Sequence, residues 1–99
     1  MARFDAYENP GGPGYLLDCQ ADILRDLSTR LVVPLLPPKY APPPSRRLNP
    51  ILSVEGQEMV MMTHFAASIP RKALGPVVES LSNDDSAIMN ALDMLLTGY

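Results

Sequence analysis

The chain has 99 residues, 46% of them apolar and 19% charged, with a formal net charge of −3. That composition excludes a disordered chain, and the length suits one domain over residues 1–99 whose modest core would gain from dimerisation. The acidic balance argues against direct nucleic-acid binding, the lone Cys19 excludes an intramolecular disulfide and a cysteine zinc site, and the lack of a signal-like or membrane-length apolar run makes the cytoplasm the expected location.

In chain order, residues 3–8 alternate Phe4 and Ala6 against Asp5 and Tyr7 and predict a strand. Residues 9–14, Asn-Pro-Gly-Gly-Pro-Gly, form a turn-rich loop. Residues 15–20 resume the alternation, with Tyr15, Leu17 and Cys19 opposite Leu16, Asp18 and Gln20, so the two strands read as a hairpin with a long loop. Residues 21–28 suit a short helical turn or an irregular link. Residues 30–36 predict an apolar strand in which Pro34 implies an edge position or a bulge. Residues 37–44 hold five prolines in eight positions and read as an irregular surface loop with polyproline character. The basic pair Arg46-Arg47 follows and reads as a solvated strand start.

Residues 51–63 predict a second hairpin turning at Glu55-Gly56, with Met59, Val60, Met61 and Met62 as a buried run. A short strand over 66–69 stops at Pro70, and residues 77–81 lead into a helix over 82–99. Ser82 suits its N-cap and Asp85 a shortened capping box. At ~100° per residue, Asp93, Ser86, Thr97 and Asn90 fall in an arc of about 60°, and the remainder is apolar. Ile88, Leu92 and Leu95 are the expected core face. Met94 with Ala87, or Met89 with Leu96, are the flanks expected to meet another chain. The sum is five or six short strands and one helix, which predicts a mainly β fold with a C-terminal α-helix, a small barrel of antiparallel strands.

Chemistry is sparse. The Gly11-Gly12-Pro13-Gly14 stretch lacks the Lys-Ser/Thr of a phosphate loop. His64 has no zinc spacing around it, and neither a metal nor a cofactor is expected. A Cys19–His64 nucleophile pair is conceivable, but Cys19 alternates with core positions and reads as a small buried hydrophobe. Asp18 and Asp22 are four apart with nothing marking a matched acid and base. The residues favour binding over catalysis.

Several stretches together resemble the CcdB family, toxins of CcdA–CcdB toxin–antitoxin modules. They are Asp18-Cys19-Gln20-Ala21-Asp22-Ile23-Leu24, Arg30-Leu31-Val32-Val33-Pro34-Leu35, Asn49-Pro50-Ile51-Leu52, Met61-Met62-Thr63, Ala67-Ser68-Ile69-Pro70, and the helix over 88–98. The resemblance implies an SH3-like barrel, a symmetric homodimer, and poisoning of DNA gyrase by trapping its A subunit on cleaved DNA without enzymatic activity. It implies a gyrase-binding tip at Thr97, Gly98 and Tyr99, with Asp93, Ile23 and Leu24 nearby. The typical tip is Trp-Gly-Ile, so Thr97 stands at the Trp position and Tyr99 at the Ile position, and only Gly98 is kept. The resemblance further implies a CcdA-like antitoxin that wraps the dimer and carries the DNA contact of operon autorepression. The loop that moves on antitoxin binding matches Glu8, Asn9, Gly11, Gly12 and Gly14, whose glycines would permit motion. Two readings stay open beside an active gyrase poison: a non-toxic or retargeted homologue that still binds antitoxin, and, ranked last, a MazF-like endoribonuclease, which would want a basic groove and an acid–base set.

Overall fold

The computed structural model describes residues 2–41 and 47–98. Among these residues seven antiparallel strands, β1 (Asp5–Glu8), β2 (Tyr15–Asp18), β3 (Thr29–Leu36), β4 (Ile51–Val54), β5 (Gln57–Met61), β6 (Ala67–Pro70) and β7 (Val77–Ser80), precede one α-helix, α1 (Asp85–Thr97). They form a single sheet in the order β4-β5-β3-β2-β1-β7, with β6 also on β3. The sheet curls into a half-barrel closed by α1, as the alternation of short strands predicts. The extra strand beyond the expected five or six is β7: residues 77–80, expected only to lead into the helix, pair with β1 through Val77, Glu79 and Ser80 across an irregularity in register.

The second hairpin forms as its sequence dictates. Glu55 and Gly56 take φ of 51° and 78°, the paired left-handed conformation of a tight hairpin turn. Met59, Val60, Met61 and Met62 are all buried. Pro34 departs from its expected edge or bulge position. β3 is the central strand, paired along one side with β2 from Tyr15↔Leu35 to Asp18↔Val32. On its other side β6 pairs with residues 29–32 and β5 with 35 and 36. Pro34 sits at the seam, where its carbonyl accepts the Met62 N–H at 2.9 Å and its missing N–H interrupts no ladder.

The sheet is covered on both faces, so the alternation of β1 and β2 does not separate core from solvent. Phe4, Ala6, Leu17 and Cys19 join Val33, Met61, Ile88 and Leu92 in the main core. Tyr7, Leu16, Val32 and Leu74 form a smaller cluster on the other face. Phe4 lies just outside β1 with φ 71°. Its N–H donates to the Asp18 carbonyl and its own carbonyl accepts the Leu81 N–H, so it ties the end of β2 to the lead-in of α1.

The helix begins later than its sequence suggests. Residues Ser82–Asp84 form a 3₁₀ turn, and neither Ser82 nor Asp84 places a side-chain cap on α1. The Ser82 hydroxyl instead accepts a bond from Ser80 Oγ at 3.2 Å. Ile88, Ala91 and Leu92 are buried, but Leu95 is 40% exposed. Its angular position matches Ile88, yet among the described residues Leu95, Leu96 and Thr97 at this end are all exposed. A fully buried leucine would contribute roughly 2 kcal/mol, so this end of α1 is held by helix continuity more than by packing. Of the proline-rich stretch, Pro38–Tyr40 is a 3₁₀ turn rather than polyproline. Positions 42–46, with Arg46, lie outside the described residues.

Candidate functional site

Two surfaces carry the candidate residues. The first comprises the Asp22–Leu24 3₁₀ turn and the exposed last turn of α1. Ile23 is 88% exposed and Leu24 46%, while Leu96 at the helix end is 77% exposed. Asp93, Thr97 and Gly98 are exposed as well, and Tyr99 lies outside the described residues. Arg3 bridges the two elements. Its backbone N–H donates to Asp22 Oδ1 at 2.8 Å and its Nη2 donates to Met89 Sδ at 3.0 Å, one turn before Asp93. Met89 is therefore engaged within its own chain. At the tip, Gly98 takes φ 82° and its N–H closes on the Met94 carbonyl at 3.0 Å, a left-handed end that suits glycine. Thr97 Oγ1 donates back to the Asp93 carbonyl at 2.7 Å. Thr97 thus turns its one polar group inward to the helix and offers little stacking area at this position.

The second surface is the loop between β1 and β2. Glu8, Asn9, Gly12 and Gly14 line a cavity of about 300 Å³ together with Tyr15, Pro37, Gln57 and Met59. Gly11 belongs to the loop but not to the cavity wall. The loop closes on itself: the Asn9 N–H donates to the Gly14 carbonyl, the Gly12 N–H to the Asn9 carbonyl, and the Gly11 N–H to Asn9 Oδ1 at 2.9 Å. Its glycines do unlike jobs. A Cβ on Gly12 would meet nothing within 4 Å, whereas one on Gly14 would lie 2.0 Å from the Leu35 carbonyl oxygen at a φ of +90°. Gly14 is needed for close approach to β3, whereas Gly12 at the loop tip meets no such constraint.

Beneath the first surface lies an arrangement that strand alternation misses. Asp18 and Arg30 are both fully buried, with Arg30 Nε and Nη2 donating to Asp18 Oδ2 at 2.9 and 2.5 Å. Asp18 Oδ1 accepts the Gln20 N–H at 3.0 Å. Tyr7 stands on the same face, its hydroxyl pushed up to about 12 by burial first and then by the Asp5 and Asp18 carboxylates. Among the described residues neither the Tyr7 hydroxyl nor Arg30 Nη1 has a hydrogen-bond partner. The sequence signal was an acidic residue in an apolar strand with an arginine twelve positions on; period two alone placed it only on the side opposite Tyr15, Leu17 and Cys19.

The catalytic pairings that the sequence raised, Cys19 with His64 and Asp18 with Asp22, do not assemble. Cys19 is buried and its thiol is pushed up to about 12 by desolvation, so it holds its proton where a nucleophile must lose one. His64 is exposed, with its Nδ1 near Asn49 Nδ2 at 3.4 Å. Asp18 and Asp22 are committed, to Arg30 and to the Arg3 backbone, and do not form an acid–base pair. Among the described residues no group of three His, Cys, Asp or Glu side chains is placed to hold a metal ion, and no helix is long and apolar enough to cross a membrane.

The half-barrel, the exposed helix end and the loop cavity occur in a chain that matches the family described as CcdB protein over residues 3–98. The chain belongs to the CcdB family, the toxins of toxin–antitoxin modules.

Proposed function

We propose that the protein is a toxin that binds the DNA gyrase A subunit and traps its cleaved-DNA complex, with no enzymatic activity of its own. It acts as a cytoplasmic homodimer. A CcdA-like antitoxin neutralises it, contacts the cavity beside Glu8, Asn9, Gly12 and Gly14, and carries the DNA contact of operon autorepression. The observation that supports this reading is the exposed apolar pair Ile23 and Leu24, whose turn is linked through Arg3 to α1, a helix with Leu95 and Leu96 exposed in its last turn. An exposed apolar helix end suits insertion against a target.

A second reading is favoured by Thr97. With its hydroxyl bonded to the Asp93 carbonyl, position 97 lacks the aromatic anchor typical of the family, and anchors of that kind often contribute about 2 kcal/mol or more. The chain is then a homologue that binds antitoxin but acts weakly on gyrase or on another target. The two readings separate on expression in a sensitive bacterium, with and without the cognate antitoxin, while gyrase-mediated DNA cleavage is measured in lysate. Growth arrest with cleavage is the expected outcome. The absence of both arrest and cleavage would sink the gyrase reading, and a Thr97→Trp variant that then gained cleavage would place the cause at the tip. RNA cleavage by the purified protein without any gyrase effect would favour the ribonuclease class.

A further inference from the structure

Gln20 belongs to neither set of candidate residues, yet three hydrogen bonds converge on it. Its N–H donates to Asp18 Oδ1, its amide oxygen accepts the Leu31 N–H, and its Nε2 donates to the Leu24 carbonyl, each at 3.0 Å. The orientation of the amide is forced, because a backbone N–H can only donate and a carbonyl can only accept. One end of the side chain is therefore fixed to β3, which runs through the middle of the sheet. The other end is fixed to the turn that carries Ile23 and Leu24.

That turn needs such a tie. None of the residues Asp22–Leu24 is buried, so apolar packing does not hold it. Its own bonds are local: the Leu24 N–H to the Ala21 carbonyl, the Arg25 N–H to the Asp22 carbonyl, and the Leu27 N–H to the Leu24 carbonyl. Asp22 meets the Arg3 backbone at one end, and Arg71 Nη1 meets the Arg25 carbonyl at the other. Between those two anchors the Gln20 carboxamide is the side chain that reaches the Leu24 backbone from outside the turn.

We propose that Gln20 is the positioning residue of this surface: its carboxamide brackets the 22–24 turn to β3 and holds Ile23 and Leu24 outward before a partner arrives. The benefit is preorganisation, since an apolar pair already ordered loses less conformational freedom on binding. The inference deepens the gyrase reading and rests on it for the identity of the partner, though not for the bracket itself.

Two variants test it. Gln20→Glu keeps an oxygen for the Leu31 N–H but sets a second oxygen against the Leu24 carbonyl. Gln20→Met keeps the length and loses both side-chain bonds. Amide hydrogen exchange is read at Leu24, Arg25 and Leu27, with Leu17 and Val33 in the core as reference. In both variants the three turn amides are expected to exchange about tenfold faster while the reference amides hold. The Leu31 amide is expected to stay protected in Gln20→Glu and to lose protection in Gln20→Met. Affinity for the gyrase A subunit is expected to fall about tenfold in step, with antitoxin affinity unchanged. Unchanged turn amides, or an equal rise across the core amides, would overturn the bracket. A wild-type chain that fails to bind gyrase refutes the proposed target instead, and the exchange comparison still decides the role of Gln20.

Discussion

The two loops that carry the candidate residues are built on opposite plans. The 9–14 loop bonds mainly to itself, exposes glycine and proline, and touches the rest of the fold closely at Gly14 beside the Leu35 carbonyl. The 19–28 loop exposes Ile23, Leu24 and Leu27 and is tied outward at many points, through Asp18, Gln20, Asp22 and the carbonyl of Arg25. A self-contained polar loop beside a cavity can change shape without disturbing the sheet. An apolar loop tied at several points keeps one shape and presents it. The contrast suits two kinds of partner, one that remodels what it meets and one that must be met by a ready surface.

The largest way to break that contrast is to cut the anchor. Asp18→Ala leaves the Arg30 guanidinium buried without its counter-charge and removes the acceptor of the Gln20 N–H. The expected loss is about 3–5 kcal/mol in urea unfolding, and Asp18→Leu combined with Arg30→Met is expected to recover most of it. A single Asp18→Ala variant within about 1 kcal/mol of the wild type would show that the ion pair does not anchor this side. A smaller effect is expected at the other loop. Gly14→Ala forces a Cβ against the Leu35 carbonyl in a left-handed conformation and is expected to cost about 2 kcal/mol, whereas Gly12→Ala is expected to stay within about 0.5 kcal/mol. Equal costs at the two glycines would mean that the loop is tied along its whole length.

The smallest effect is a pH dependence on the anchored side. Tyr7 rises from an ordinary 10.0 to about 12 in the folded protein. Below pH 10 both states keep the proton. Above it the unfolded chain releases the proton first, so stability falls as pH rises toward about 12, by at most about 1.4 kcal/mol per pH unit from this group. Thermal unfolding followed from about pH 8 to about pH 11 is expected to decline less steeply in Tyr7→Phe, with the remainder owed in part to Cys19, which shifts from 9.0 in the same direction. An identical decline in the variant would remove Tyr7 from the account.

What the sequence made legible was local. The Glu55-Gly56 turn, the methionine run and the helical period of Ile88 and Leu92 each depend on residues close along the chain. What it hid depends on distant ones. Alternation set Asp18 only on the side opposite Tyr15, Leu17 and Cys19, because it cannot know that Leu74, Ile69 and Tyr7 close that face or that Arg30 arrives there from the next strand. Leu95 had the right angle and the wrong surroundings, since periodicity places a side chain around a helix axis but says nothing of what covers it. Of the candidate sites, Ile23, Leu24 and Gly98 were reached by resemblance alone, and all three are exposed. Arg3 lies in no matching stretch, and Gln20 lies in one without any role attached to it. Their importance lies in what their atoms touch.

Pro34 has a consequence for fidelity. A strand of eight residues shared by three neighbours has several ways to pair wrongly, and a shift by two positions keeps every side chain on its proper face. Side-chain pattern alone therefore cannot reject such a shift. The proline can. Moved two places in either direction along the side that faces β5 and β6, it would bring a nitrogen with no hydrogen to a carbonyl that expects a donor. The seam between those strands is the place on that side where its ring costs nothing, so a residue that looks like a flaw in the middle of the sheet acts as a check on how the sheet is assembled.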